Sequence, residues 1–383
     1  MTIILMLFVL LVTPWGMQLA VSVADSSVDG LDVDYSSGGL LSELHLSDVR
    51  WEQAGTQATI KDLKLDLRLS CLFVAEVCID AISTGRIDAK IVPAKEVVDS
   101  DSTPLDLVTM PMPISLNRIA IGPLAVSVED QLDLSWQSLN AKLNFYQILV
   151  VEQFSIQNLQ LTTYAAQATP PTQTQPQTKS KPFDFASIKY HPIQAMPITL
   201  PIHFQIKQFT LPDVQLNLAE QTPIKIDSVQ LKASAGAKQI QLSKLLVEHA
   251  KGKVEVAGKL GLAGNLEHQL SFNAQGELNA FGEPLVKDAL AAKQVTQVKL
   301  TSKGNIQNMT TDLNVIGLFE FSAHLQAQPA KETLPMDLKV TWQDLAWPLG
   351  AQDTPDFTSA KGNIELSGDL AKLNLAINAL LSG

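Results

Sequence analysis

The sequence predicts a mostly β protein: an N-terminal transmembrane helix followed by a long, repeat-like antiparallel sheet curved into an elongated hydrophobic groove. Three observations predict this architecture. They are a recurring strand motif, a composition rich in aliphatic but poor in aromatic residues, and an N-terminal stretch without charged side chains.

The strand motif consists of two apolar positions one residue apart, a gap of two residues, and a second such pair. Alternation places the apolar side chains on one face of a strand, and a bulge or short bend can absorb the phase shift of the gap. The first four copies begin roughly 35–38 residues apart, a period typical of stacked supersecondary units. The copies are Leu44, Leu46, Val49, Trp51; Ile82, Thr84, Ile87, Ala89; Ile119, Ile121, Leu124, Val126; Phe154, Ile156, Leu159, Leu161; and Phe209, Leu211, Val214, Leu216.

The composition favours a sheet with one apolar and one wet face, because 46% of the residues are hydrophobic, 17% are charged and only 6% are aromatic. The net charge of -11 and the lack of a basic run argue against nucleic acid as a partner. The histidines are scattered, and no nucleophile elbow or phosphate-binding loop is present. We therefore expect no catalytic residues, no metal, no cofactor and no enzymatic activity.

The N-terminal stretch from Thr2 to Ala24 has no charged side chain, and about 20 apolar residues suffice to cross a bilayer. Pro14, Gly16 and the absence of a preceding basic residue weaken this prediction. A cleaved signal peptide is the alternative, with a small-residue site at Ala20-Val21-Ser22. Residues 1–24 are assigned as a signal anchor, and either alternative exports the rest of the chain.

The two cysteines are Cys71 and Cys78. Seven residues of straight strand would separate them by about 23 Å, whereas a disulfide needs α-carbons within about 7 Å. If they pair, the segment between them folds back and the bridge staples a hairpin. Otherwise they are two buried free thiols, but an exported chain favours the disulfide.

The remaining chain reads as alternating strands with polar interruptions. We expect a first β-repeat region at residues 25–164, a low-complexity linker at 165–182, and a second β-repeat region at 183–383 that is truncated at its C-terminus. Turns are predicted at Gly264-Asn265, Gly304-Asn305 and Gly368-Asp369. Lys95–Pro104 is predicted to be a loop, and Pro284–Lys293 is a candidate short helix.

Several segments together resemble the N-terminal part of the TamB family, which belongs to the AsmA-like group. They are Gly38–Trp51, Ile60–Leu67, the Cys71 and Cys78 pair, Met112–Leu116 and Leu200–Phe204. The chain departs from the family pattern at Ser70, where members carry an acidic residue, and in lacking basic residues before the anchor. Family members are also several times longer.

The resemblance implies an inner-membrane protein with a single span and most of its chain in the periplasm. It implies a sheet bent into a gutter that is apolar inside, acting within the translocation and assembly module. The expected partners are phospholipid, the inner membrane, and an outer-membrane barrel of the TamA type, reached through a C-terminal part that is absent from this sequence.

The function expected from these observations is a bridge that conducts phospholipid acyl chains along the groove towards the outer membrane. The alternative is an assembly factor for outer-membrane β-barrels or autotransporters that pairs with incoming strands. A plain envelope scaffold is the third possibility. The candidate groove-lining residues could equally be ordinary sheet core; they are Leu63, Leu65, Leu67, Ile119, Ile121, Leu134, Trp136, Phe154, Ile156, Ile202, Phe204, Ile206, Phe209, Leu211, Val214 and Leu216.

Overall fold

The computed structural model describes residues 13–39, 41–53, 55–92, 109–129, 131–164, 190–194, 200–219, 222–277, 294–347 and 355–382. Strands dominate the described residues, as the sequence predicts. The predicted linker at 165–182, the predicted loop Lys95–Pro104 and the candidate helix Pro284–Lys293 lie outside them, so the predicted domain boundaries stay predictions.

The described elements are one α-helix, one 3-10 turn and a series of strands. They are α1 (Pro14–Ser27), β1 (Leu31–Gly39), β2 (Ser42–Gln53), β3 (Thr56–Arg68), the 3-10 turn (Leu69–Val74), β4 (Val77–Thr84), β5 (Arg86–Ile91), β6 (Ile114–Ile121), β7 (Leu124–Val128), β8 (Leu132–Trp136), β9 (Ser138–Phe145), β10 (Leu149–Gln157), β11 (Gln160–Thr163), β12 (Phe204–Asn217), β13 (Ile224–Ala235), β14 (Gln239–His249), β15 (Gly252–Gly261), β16 (His268–Glu277), β17 (Val295–Gly304), β18 (Met309–Ile316), β19 (Glu320–Ala327), β20 (Met336–Trp347), β21 (Phe357–Asp369) and β22 (Lys372–Ser382).

The chain divides into two compact units. The first comprises Met1–Ala168 and Leu200–Lys232, and the second comprises Thr169–Thr199 and Ala233–Gly383, as far as these ranges are described.

In the first unit, which also includes β13 up to Lys232, eight tracks pair side by side into a sheet; a track is one strand or two strands placed end to end. Their order is β1, β2, β3, β4 with β5, β6 with β7, β9 with β8, β10 with β11, and β12. Successive tracks are antiparallel where a short turn connects them.

The prediction of a wholly antiparallel sheet is wrong at two steps. β4 with β5 runs parallel to β6 with β7, and β10 with β11 runs parallel to β12. A parallel step needs a connection long enough to bring the chain back to the starting end. These two steps follow the two longest connections between strands of this unit, from Ile91 to Ile114 and from Thr163 to Phe204.

The two-residue gap of the motif corresponds to a line of strand breaks and of irregular positions within continuous strands, which we call the seam. It crosses the sheet at Asp62, Gly85, Gly122, Asn158 and Asp213. Asp62, Asn158 and Asp213 have positive φ angles of 52°, 52° and 55°. Successive tracks are hydrogen bonded at the seam, from Gly85 N to Lys61 O (2.8 Å), Gly122 N to Thr84 O (3.1 Å) and Asn158 N to Pro212 O (3.3 Å).

Glycine at position 122 allows two tracks to approach closely at the seam. A Cβ atom added there would lie 1.7 Å from Gly85 O. The Trp136 indole N–H also donates to Gly122 O across 3.2 Å, so the track of β9 with β8 is hydrogen bonded at the same position. The bend that the sequence predicted is thus a hydrogen-bonded feature shared by neighbouring tracks.

The predicted disulfide is present between Cys71 and Cys78, with the α-carbons 5.9 Å apart. The chain leaves β3, passes through the 3-10 turn that contains Cys71, and returns as β4, which contains Cys78. Ala75 closes the turn in the left-handed conformation with φ 56°. The bridge therefore staples the reversal between two antiparallel strands.

Helix α1 is capped by Thr13, whose side chain accepts a hydrogen bond from Gly16 N, with Pro14 in the first turn. It has 14 residues. No helix among the described residues combines the length and apolarity that a membrane span requires. The predicted span at 1–24 overlaps α1 only from Pro14, and residues 1–12 lie outside the described part of the chain.

The second unit contains an antiparallel meander from β14 to β22, in which each strand pairs with the next along the chain. The three predicted turns are confirmed. Gly264, Gly304 and Gly368 have positive φ angles of 67°, 126° and 123°, which suit glycine, and each lies where one strand reverses into the next.

We expect Gly122→Ala to lower the free energy of unfolding of the first unit by about 1–3 kcal/mol, because its Cβ would displace the backbone of the neighbouring track. Gly85→Ala is the matched control on the same seam. Its Cβ would meet the Asp62 carboxylate at 3.0 Å, a side chain that can move. Urea unfolding measures both variants, and equal losses would contradict the close approach at Gly122.

Replacing both cysteines, with Cys71→Ser and Cys78→Ser, should lower the free energy of unfolding by about 2.5 kcal/mol in the loop-entropy account of so short a ring. The urea midpoints of the double variant and of the parent chain with reductant added are each compared with the midpoint of the oxidised parent chain. These two should agree with each other. An unchanged midpoint in both would show that the staple does not constrain the unfolded chain.

Candidate functional site

The first sheet has apolar side chains aligned in rows that cross its tracks. Residues directly opposite each other in neighbouring strands project to the same face. One row joins Leu44, Leu65, Ile82, Ile119, Ala141, Phe154 and Phe209. Beyond the seam, another joins Leu31, Trp51, Ala58, Ala89, Val126, Leu134, Leu161 and Leu216.

Further rows flank these two. A row with Val33, Val49, Ile60, Ile87, Leu124 and Trp136 lies next to the seam. At the other strand ends, one row joins Leu67, Ile79, Leu116, Leu143, Val151 and Ile206, and the last joins Val77, Ile114, Phe145, Leu149 and Phe204. The strand register therefore aligns the residues of the repeated sequence motif in these rows.

Polar rows alternate with the apolar ones and occupy the opposite face. His45, Lys64, Ser83, Ala120, Asn140, Ser155 and Thr210 form one such row. Another contains Asp32, Arg50, Thr59, Asp88, Ala125, Ser135, Gln160 and Gln215. Each side of the seam thus has one apolar face and one polar face.

All the candidate lining residues except Ile202 lie on strands of this sheet, and most belong to the apolar rows. Ile202 precedes β12, which begins at Phe204. Phe154 and Phe209 stack directly, with ring centroids 5.0 Å apart and ring planes within 2°. That these residues line a groove stays a prediction.

The degree of burial is the informative property of the rows. Val214 is buried at 4% exposure, and Ile202 is exposed. The other candidate lining residues are half-buried. Large apolar side chains under a second packed layer would be buried on all sides. The rows are therefore shielded by their neighbours in the sheet but remain accessible to a further apolar group.

The polar face carries ion pairs between neighbouring tracks. Arg68 Nη2 lies 2.8 Å from Asp80 Oδ1, and Lys207 Nζ lies 2.7 Å from Glu152 Oε1. Arg86 donates hydrogen bonds to Asp88 and thereby lowers the pKa of that carboxyl. These exposed pairs contribute little stability individually, so we regard this face as the solvated one.

A shallow cavity of about 540 Å³ lies over two polar rows beyond the seam. Thr59, Asp88, Lys90, Asp133 and Ser135 are among its lining residues. Hydrogen bonds from Tyr164 and Ser127 lower the pKa of Asp133. Ala89, Val126 and Leu134 of an apolar row also contribute to its lining, so the cavity is not separate from the candidate site.

Sequence reasoning missed several members of the rows as site residues. Ile60, Leu116, Leu143 and Val151 complete rows that contain predicted residues. Their alternation was visible in the sequence, but only the strand register places them beside the motif residues. Ala58 carries no strong apolar signal and could be found only from the register, in which it pairs with Trp51 and with the motif residue Ala89.

The second unit repeats the same arrangement over nine strands. Leu245, Val256, Phe272, Leu300, Leu313, Ala323, Val340, Ile364 and Ile377 form one row. In the neighbouring row of this face, Trp342 lies over Gly362, where an added Cβ would come within 2.1 Å of the ring. A polar cluster of His268, Ser302 and Thr311 interrupts the apolar face through hydrogen bonds of 3.0 and 2.9 Å.

Known proteins resemble the chain over nearly its full length. It is 24% identical over 388 residues to the translocation and assembly module subunit TamB of Haemophilus influenzae, an alignment that covers 94% of this chain and 29% of that relative. The chain thus spans less than a third of the length of this relative. No solved structure matches it significantly. The family described as the N-terminal domain of TamB matches residues 3–383, and the chain therefore belongs to the TamB N-terminal domain family.

Proposed function

We propose that the apolar face of the first sheet forms a groove that carries the acyl chains of phospholipids within the translocation and assembly module, from the inner towards the outer membrane. The main observation that supports this proposal is the set of apolar rows, which cross the tracks without interruption and whose side chains are half-buried. Membership of the TamB N-terminal domain family supports a role in that module.

The physical basis is the transfer of hydrocarbon out of water. Each buried CH₂ group stabilises by about 0.8 kcal/mol. A lipid tail that covers half of a bilayer core of about 30 Å would cross about three strand intervals of about 4.8 Å. Moving it by one interval exchanges one set of Leu, Ile, Val and Phe contacts for an equivalent set, so no position would trap it. The chain would supply a path and no catalysis.

The alternative is an assembly factor that pairs with strands of outer-membrane proteins at a sheet edge. Membership of the TamB N-terminal domain family supports this alternative as well, because it implies a role in the translocation and assembly module. Strand pairing would be disturbed by a proline on β22 and would be indifferent to a charge in the rows of the first sheet. A conduit would be disturbed by a charge in the rows of the first sheet and would be indifferent to a proline on β22.

The first test is photocrosslinking in cells with p-benzoylphenylalanine placed in turn at Phe204, Gln205, Ile206 and Lys207. Phe204 and Ile206 belong to apolar rows, whereas Gln205 and Lys207 alternate with them. We expect lipid adducts at 204 and 206 but not at 205 and 207, as identified by mass spectrometry. Protein adducts alone at 204 and 206 would exclude the conduit and favour the alternative.

A second test places a charge in the path. Ile206→Asp should abolish lipid adducts to p-benzoylphenylalanine at Phe209, because an ionised carboxylate among apolar rows repels hydrocarbon. The matched control is Gln205→Asp, an identical new side chain one residue away on the polar face, which should leave the adduct yield unchanged. If both variants retained lipid adducts, the rows would not be the path.

A further inference from the structure

Apolar loop residues gather at one end of the strands in the first unit. The last apolar row at this end contains Val77, Ile114, Phe145 and Leu149. The loops immediately beyond it are the stapled 3-10 turn, the segment before β6, and the turn between β9 and β10. We call their exposed apolar residues the rim: Leu72, Phe73, Val74, Met112, Tyr146 and Ile148.

The rim is exposed to a degree that is unusual for such residues. Phe73 is 93% exposed and Val74 is 72% exposed. The disulfide fixes both ends of the turn that presents them, so they are held away from the sheet and do not fold onto it. An exposed patch of large apolar side chains marks a surface that contacts a membrane or another protein.

The three loops form one continuous surface. Val77 N donates to Pro113 O over 2.9 Å, and Met110 N donates to Tyr146 O over 3.0 Å. Among the described residues of these loops, Glu76 is the one with a carboxylate side chain. This carboxylate accepts a hydrogen bond from Ser115. The opposite strand ends also expose Val28, Val92 and Tyr164, but exposed carboxylates of Asp29 and Glu129 lie there as well.

The direction of helix α1 shows that Thr13 lies near the strand ends that carry the rim. Asp25 Oδ1 accepts a hydrogen bond from Val33 N, and α1 contacts β1, so the helix runs back beside that strand. From Asp25 to Thr13 the helix rises about 18 Å, and from Val33 to Gly39 the strand extends about 20 Å. Thr13, which follows the apolar Ile3–Val12 sequence, therefore comes level with the strand ends that carry the rim.

We propose that the rim rests on a lipid bilayer and inserts Phe73 with its neighbours among the acyl chains. A protein partner would be met by charged and hydrogen-bonding groups around an apolar centre. The rim offers instead aliphatic and phenyl groups with one tyrosine, the residue type that settles at membrane interfaces. This contact lies outside the apolar rows and goes beyond the proposed conduit.

The test uses the full chain in vesicles of phosphatidylethanolamine and phosphatidylglycerol. p-Benzoylphenylalanine replaces Phe73 in one sample and Tyr164 in the control, which is an exposed aromatic residue at the opposite strand ends. We expect severalfold more lipid adducts at 73 than at 164. Equal yields, absent lipid adducts, or adducts only to protein at 73 would overturn the proposal.

A second measurement reports from a neighbouring loop. With p-benzoylphenylalanine at Ile148, Phe73→Asp should reduce the yield of lipid adducts severalfold, whereas Phe73→Leu should retain it. Phe73 is so exposed that neither change affects folding of the sheet. Retention of the adducts in Phe73→Asp would overturn the proposal. The adduct yield at Ile206 tests the proposed conduit, whereas the yields at Phe73 and Ile148 test the rim. Either proposal can therefore fail while the other holds.

Discussion

The register between neighbouring tracks is the constraint on which the first sheet depends. A slip of one residue would exchange every apolar side chain for a polar one. The tracks avoid this because they all change phase together at the seam, where Gly122 approaches Gly85 and Asn158 donates to Pro212 O. The apolar rows on both sides of the seam follow from this shared break.

The same register explains why the rows are only half-buried. In most sheets an apolar face is closed by helices or a second sheet, and its large residues become inaccessible. Here neighbouring side chains such as Phe154 and Phe209 cover each other laterally, while their outward surface stays available. A conduit requires this compromise, because a fully covered face would admit nothing and a fully wetted one would be unstable.

Local alternation and spacing were sufficient to predict the strands and the phase shift at the seam, whereas the disulfide was predicted from the expected export of the chain. The motif at Ile82–Ala89 and at Ile119–Val126 identified rows that the structure pairs directly, Ile82 with Ile119 and Ala89 with Val126. What the sequence could not reveal was that these two copies are parallel. Alternation has the same period in parallel and antiparallel strands, and direction is set by the length of the connection. Row members such as Ala58 and Leu143 depended on long-range pairing in the same way.

Helix α1 covers the edge of the first sheet that β1 forms. On the β1 side, Asp25 occupies the hydrogen-bonding capacity of Val33 and the helix packs alongside. A foreign strand therefore meets a blocked template there, and spontaneous edge-to-edge polymerisation is suppressed.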